Sequence, residues 1–457
     1  MKRFLAPLIL LAGAFLGTLL LQRYTFIWQE YDGLFLWTGD YFSAMFQRSF
    51  PISGIIGDFL TQFFRFSIYA PLIVAAAVVL AFSLVKGILS RIGLGWDGLS
   101  ALFACALWVV IAFAPTARRG VAVVLILALV WAASRLLPRR KTRQPKPWIE
   151  CSAPLLLTGG VFLFLSLNGE IDRREQTAAL RVAVVQGDWD GVLSVATPAR
   201  TAESPEMMPL AFLALGQKGQ LGSRLFRYPV LSEADFDMAG LKDTYISLFF
   251  KAFLYSSLNC PHEAIHNHFQ LAMLQEHGQS FMVLRQLMTE NYRIGNYAMV
   301  KKYGAILSRS TLHGAYVRHF MDLTDNGAPR PSDSVETRSQ MPLISHDPLY
   351  NLLQFETLGI SSPASVDRIL CTLLLKRDME RFKAVLPSVR DRYSVLPVHY
   401  EEALALSGDL DGLSAATRQR FAAFQSDMLR LTPSAMQKKY AETCWIYLLT
   451  VPVQDQE

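Results

Sequence analysis

Residues 135–146, Arg-Leu-Leu-Pro-Arg-Arg-Lys-Thr-Arg-Gln-Pro-Lys, set six cations between two apolar runs: Arg135, Arg139, Arg140, Lys141, Arg143 and Lys146. Pro138, Pro145 and Pro147 prevent the stretch from continuing as helix. Positive charge beside membrane spans stays on the cytoplasmic side. A cluster of this size therefore pins the topology, and with it the side on which the polar C-terminal half lies.

The apolar runs predict an all-α fold: a multi-span helical membrane region followed by an α-solenoid-like helical domain. The chain is 52% hydrophobic, above the usual ~45–50%, and the excess falls before residue 168. About 20 apolar residues cross a bilayer, and five spans are expected, at 4–21, 68–89, 99–115, 120–137 and 152–168. Gln22-Arg23-Tyr24 follows the first run with no small-x-small cleavage site, so that run reads as an uncleaved anchor. Residues 22–67 mix aromatics (Tyr24, Phe26, Trp28, Tyr31, Phe35 and Trp37 among them) with Glu30, Asp32, Asp40 and Asp58. Spans do not hold that many charges. Aromatics with charges suit the headgroup layer, so this is an interfacial loop.

With Met1-Lys2-Arg3 inside, the aromatic loop falls outside, Lys86 and Arg91 inside, Arg118-Arg119 outside and the Arg135–Lys146 cluster inside. Only the Arg118-Arg119 pair goes against the charge rule. The polar half after Asn168 then lies outside, which in a bacterial inner membrane means periplasmic. The net charge of +6 is no larger than the basic cluster supplies, and no nucleic-acid footprint accompanies it. Cys105, Cys151, Cys260, Cys371 and Cys444 show no Cys-x-x-Cys spacing and read as buried free thiols.

The remainder divides into a helical-repeat lobe (169–323), a polar linker with Pro329 and Pro331 (324–345) and a second helical lobe (346–457). Four turns share the form Gly, polar, large apolar: Gly187-Asp188-Trp189, Gly219-Gln220-Leu221, Gly295-Asn296-Tyr297 and Gly408-Asp409-Leu410. Arg377-Asp378-Met379 is a degenerate fifth. These turns resemble the inter-helix turn of the tetratricopeptide repeat, which implies stacked helix pairs. The small residues that this family packs are Val192, Val300 and Leu413 in one helix and Leu180 or Met288 in the other, so the repeats are degenerate. The whole plan, with Leu34–Phe42, Phe59–Phe64 and Glu442–Tyr447, resembles an uncharacterised family of bacterial membrane proteins that carries a domain of unknown function. That resemblance implies architecture and no activity.

Two sets of residues could carry chemistry. His262-Glu263-Ala264-Ile265-His266 has the His-Glu-x-x-His form that binds zinc on a helix, with Glu276 or Glu290 as third ligand. Ala264 stands where zinc proteases carry a bulky apolar residue. In the repeat reading the stretch opens a second helix, burying Ile265, Phe269 and Ala272. The acids Glu30, Asp32 and Asp40 are the second set, since a carboxylate near the headgroups suits a base or metal ligand in lipid-linked glycosyl transfer. Neither set implies a cofactor. His313, His319, His346 and His399 read as ordinary surface or core residues. The expectation is a non-enzymatic scaffold, held in the lipid bilayer, whose helical repeats bind a protein or envelope component and no nucleic acid. The alternative is a membrane-embedded, glycosyltransferase-like enzyme of envelope glycan or lipid chemistry using the outer-loop acids.

Overall fold

A computed structural model describes residues 4–138, 147–238, 244–275, 280–325, 348–357 and 362–450, and every regular element among them is helical. Arg139, Arg140, Lys141, Arg143 and Lys146 of the basic cluster lie outside the described residues, as do most of the 324–345 linker, Glu276 and His346. The chain forms two compact units that do not follow chain order. The first comprises Met1–Val182, Gln275–Met288 and Ala298–Ala328; the second comprises Ala183–Leu274, Thr289–Tyr297 and Pro329–Glu457. The cuts expected at 168 and 323 differ from this division, because two later segments cluster with the N-terminal region.

The N-terminal segment of the first unit carries α1 (Leu5–Leu21), α2 (Arg23–Asp32), α3 (Gly39–Phe46), α4 (Pro51–Thr61), α5 (Tyr69–Arg91), α6 (Asp97–Phe113), α7 (Ala117–Ser134), α8 (Pro147–Ser166) and most of α9 (Gly169–Gln186). Helix α1 packs on α5 and α8, α5 on α6 and α7, and α6 on α8. Small residues permit these close approaches: a Cβ on Gly17 would sit 2.3 Å from the Trp108 ring, and one on Gly13 would collide with Thr158. The core between the helices is Leu10, Ala14, Val74, Val78, Ala104 and Trp108, with their neighbours.

A helix stands at each of the five expected spans, and length and composition alone qualify two to four crossings. Only α5 and α7 are long and apolar enough to cross a membrane alone. Two further crossings are available if α1 with α2 (bent 73°) and α8 with α9 (bent 63°) each count as one span. Helix α6 has 17 residues, about 25 Å at ~1.5 Å per residue, short of a ~30 Å hydrocarbon core.

The second unit is built from helix pairs: Tyr245–Ser257 packs on Pro261–Met273, Pro363–Leu375 on Met379–Val389, and Val398–Leu406 on Ala415–Met428. The five Gly-polar-apolar turns of the sequence are helix stops of one kind. Gly187, Gly219, Gly295, Arg377 and Gly408 all have positive φ, between 58° and 84°. Each next N–H reaches back five residues, as Asp188 to the Ala183 carbonyl (2.9 Å) and Asp378 to that of Leu373 (2.9 Å). This is the Schellman closure, in which a left-handed residue satisfies the last carbonyls of the helix. Asp188 and Asp378 then cap the following helix through their side chains, so one short motif ends a helix and starts the next. Asn259-Cys260 forms a sixth such turn, with φ +59° at Asn259 and the Cys260 N–H on the Tyr255 carbonyl at 2.8 Å. No glycine marks it in the sequence.

Candidate functional site

The acids of the aromatic loop sit in the first unit, and the geometry separates them. Helix α2 carries Glu30. Its N-terminus is capped from a distance by Glu175, whose carboxylate accepts the Tyr24 N–H (2.7 Å), the Thr25 N–H (2.9 Å) and the Thr25 hydroxyl (2.8 Å). Three donors on one carboxylate fix the helix start that α2's own sequence lacks. Helix α2 leaves α1 at 73°, outside the apolar run, and its other end is fixed by the Gly33 N–H on the Gln29 carbonyl at 2.8 Å.

Glu30 is 2% exposed, and neither of its oxygens has a hydrogen-bond partner among the described residues. Facing it is His313, 1% exposed, with Nε2 at 3.3 Å from Oε1 but outside hydrogen-bond geometry. The His313 ring stacks on Phe281 at 3.6 Å. A cavity of only about 20 Å³ lies between Glu30, Asp58, Gln62, His313 and their neighbours. Burial pushes the Glu30 carboxyl up to about 8, against the opposing pull of Arg65 and Arg285. Burial, helped by Arg65, pushes His313 down to about 3. Taking a charge out of water costs more than the pair recovers here. At neutral pH the two groups therefore face each other uncharged.

His313 reaches Glu30 across 283 positions because the segment before it is clamped. Gln62 Oε1 accepts from the Ser310 hydroxyl (3.0 Å) and the Thr311 N–H (3.1 Å). The Trp37 N–H donates to the Arg309 carbonyl (2.9 Å) and its indole N–H to the Thr311 hydroxyl (3.0 Å). The Phe281 N–H donates to the Gly33 carbonyl (3.1 Å).

Asp58 of α4 belongs to a different arrangement. Arg118 at the start of α7 holds it with two hydrogen bonds (2.6 and 2.9 Å), and the Tyr41 hydroxyl donates to it at 2.7 Å. Burial, and then the Asp58 charge, push the Tyr41 phenol upward. The close approach of α4 to α7 requires Gly57, where a Cβ would lie 2.6 Å from the Arg118 backbone nitrogen.

Of the other two acids, Asp32 is exposed and accepts from the Gln275 side chain at 2.9 Å. Asp40 is exposed at an open cleft of about 560 Å³, with Tyr41, Arg48 and Arg309 and the apolar Leu34 and Ile306. Glu30, Asp32 and Asp40 thus share no cavity. Asp58 and His313 are the partners that sequence reasoning did not select. Asp58 was visible as one acid among four, whereas nothing in the chain near His313 signals its role.

His262, Glu263 and His266 lie on the helix Pro261–Met273 of the second unit. His262 and His266 are exposed on one face, and Glu263 is half-buried, its carboxyl pushed up by burial. Glu290 is engaged elsewhere, accepting from Ser256 (2.5 Å) and Arg293 (2.9 Å). Among the described residues no group of three or more His, Cys, Asp or Glu side chains could hold a metal ion. The buried face expected of this helix is corrected by about one position. Ala264, His268, Leu271 and Ala272 are buried, whereas Phe269 is 44% exposed. His268, fully enclosed and held well below the usual imidazole range at about 3 by burial, packs edge-on against Phe253.

One family model matches residues 1–171 and again residues 170–451; it describes a family of unknown function (DUF6057). No curated protein and no solved structure matches the chain.

Proposed function

Since the chain belongs to this family of unknown function, which brings no activity with it, we propose from the structure itself a membrane-anchored binding protein without catalytic activity. The dispersal of the outer-loop acids carries this reading. A base and its partner must sit within hydrogen-bond reach of one reacting group, and Glu30, Asp32 and Asp40 occupy three separate environments. The second unit's helix pairs, read as a degenerate solenoid, would carry the binding surface, since stacked pairs present extended faces.

The bundle supports a membrane location, and in the five-span reading the 17-residue α6 crosses by local thinning of the bilayer. Large apolar side chains point outward around it, among them Leu8, Leu16, Leu80, Leu102, Leu129 and Leu156, as lipid contact requires. The Arg118–Asp58 pair joins the aromatic loop to the start of α7, so both lie at one end of the bundle. It also neutralises Arg118, one of the two cations that go against the charge rule. Lys86 pairs with Asp97 between α5 and α6. Helix α8 runs alongside α6 in the same direction: Ala153 adjoins Gly98 at one end, and Phe164 meets Phe113 at the other, centroids 6.0 Å apart. A helix that accompanies α6 from end to end reaches as far as α6 does, and an odd number of crossings puts the C-terminal part outside a bacterial inner membrane.

Two reporters fused in turn after Glu457, one active only outside the cytoplasm and one only inside, test the topology; activity of the inside reporter overturns it. Substituting Asp32→Asn with Asp40→Asn tests the absence of catalysis. The binding reading expects a normal phenotype in a strain carrying only this variant. A null phenotype at normal abundance overturns it.

A second reading is favoured by the cleft at Asp40. Its acid, phenol and two guanidinium groups stand beside apolar walls, a combination suited to an amphiphile with an anionic head, as in enzymes acting on lipid-linked glycans. That reading expects loss of function from Asp40→Asn alone and none from Asp32→Asn.

A further inference from the structure

We propose that the second unit holds a binding site for a phosphate group, in a cleft that the outer-loop acids do not touch. The cleft measures about 670 Å³ and is walled by Arg227, Arg420, Lys438, Lys439, Glu402 and Glu442, with His399 among the residues lining it. Four cations face two acids there. One acid is already committed: Glu402 is fully buried and accepts from the Cys444 N–H (2.9 Å) and Arg420 (2.6 Å), and His399 Nδ1 lies 3.0 Å away. The Trp445 indole N–H donates to the Glu402 carbonyl at 2.8 Å, fixing the backbone behind it.

This arrangement leaves His399 with an unused atom. In the neutral ring, a carboxylate beside Nδ1 holds the N–H on that nitrogen and leaves the Nε2 lone pair free. His399 is 2% exposed, and its Nε2 has no hydrogen-bond partner among the described residues. The ring cannot rotate freely to find one, because Phe226 packs edge-on against it at 4.9 Å. A buried polar atom without a partner is costly, and a bound ligand is one group that can supply the bond. The missing partner is a hydroxyl or other donor, set among groups that neutralise an anion. A singly protonated phosphate, or a phosphomonoester, offers both: P–OH for Nε2 and anionic oxygens for the cations.

The cations are placed for that task. Arg420 is 46% exposed while one of its nitrogens is fixed on Glu402, so the rest of the fork stays presented to the cleft, the geometry that matches phosphate oxygens. Arg227 meets Glu442 only at 3.6 Å, both largely exposed. Lys439 is tied to Asp427, and its neighbour Lys438 is exposed. With four cations against two acids in the wall, the cleft keeps a net positive charge, which draws anions.

This inference deepens the binding-protein reading and rests on it. The phosphate could be free or could belong to a lipid headgroup. Calorimetry on the detergent-solubilised full chain distinguishes them, titrating inorganic phosphate in one arm and dihexanoyl phosphatidic acid in the other, with sodium acetate as control. Saturable heat from either phosphate probe supports the site, provided that Lys438→Ala with Arg227→Ala weakens binding at least tenfold and His399→Gln weakens it with normal thermal stability. Heat from phosphatidic acid alone assigns the headgroup; heat from both assigns the phosphate itself. No heat from either, or binding that the cation substitutions leave unchanged, overturns the proposal. Asp40→Asn leaves this binding intact, so loss of the binding-protein reading through that variant is distinguishable from failure here.

Discussion

Replacing Glu30 by Gln should reshape the pH dependence of stability. The folded carboxyl titrates at about 8 against 4.5 unperturbed. A raised value means that the folded chain holds a proton the unfolded chain releases, so this contribution is full below 4.5 and is lost as pH rises through 8. At ~1.36 kcal/mol per unit, Glu30 removes about 3 kcal/mol between pH 5 and pH 8. His313 works in the other direction. Its folded value of about 3 against 6.5 means stability is lost as pH falls below 6.5, so it returns about 2 kcal/mol over the same interval. The two slopes cancel between 4.5 and 6.5, leaving a plateau that falls away on either side. Glu30→Gln keeps the shape and removes the acid's slope. Thermal unfolding in detergent at pH 5 and pH 8 should show the variant gaining on the wild type by about 3 kcal/mol, roughly 10 °C for a unit of this size. Parallel pH profiles for the two proteins would refute the argument, because an acid in contact with solvent or with a donor leaves no such difference.

Four substitutions probe the packing of the first unit and a turn of the second. Gly57→Ala drives a methyl to 2.6 Å from the Arg118 backbone nitrogen; backbone cannot swing aside, and thermal unfolding should register a loss of about 2–3 kcal/mol. Asp58→Asn leaves Arg118 partly buried without its bidentate partner and should cost about 1–3 kcal/mol. A double-mutant cycle with Tyr41→Phe should give a coupling of about 0.5 kcal/mol or more. Gly187→Ala meets open space on every side but forces φ +71° on a residue with a Cβ, so a loss of about 1 kcal/mol isolates backbone strain from packing.

Local signals carried much of the fold. The apolar runs marked every helix of the bundle, and the Gly-polar-apolar turns marked five helix stops, because left-handed closure is a property of a few adjacent residues. Arg377 shows that the pattern survives without glycine: its side chain donates to the Tyr447 carbonyl at 3.0 Å and lies over the Tyr447 ring, contacts that help offset the strain of φ +58°. The run expected at 99–115 ends as helix at Phe113, two residues before Pro115, because the residue ahead of a proline is held out of the helical region. The buried face of Pro261–Met273 shifted because His268, a polar residue by any sequence scale, is the one enclosed against Phe253.

The two glutamate–histidine pairs show why the sites themselves were not legible. His399 and Glu402 are three residues apart on one helix, so their contact was available to sequence reasoning. What gives the pair its character comes from Arg420, Cys444 and Phe226, none of them local. Glu30 and His313 are separated by most of the chain and meet only because Gln62 and Trp37 grip residues 309–311. The supply of donors then sets the chemistry apart. Glu402 receives a backbone N–H and a guanidinium, and its histidine is left with an idle Nε2 in a cationic cleft. Glu30 receives no hydrogen bond among the described residues and sits in about 20 Å³, too closed for a substrate. By that contrast the Glu30 pair is a stability element tuned by pH, and the Glu402 pair is where a ligand has room and reason to bind.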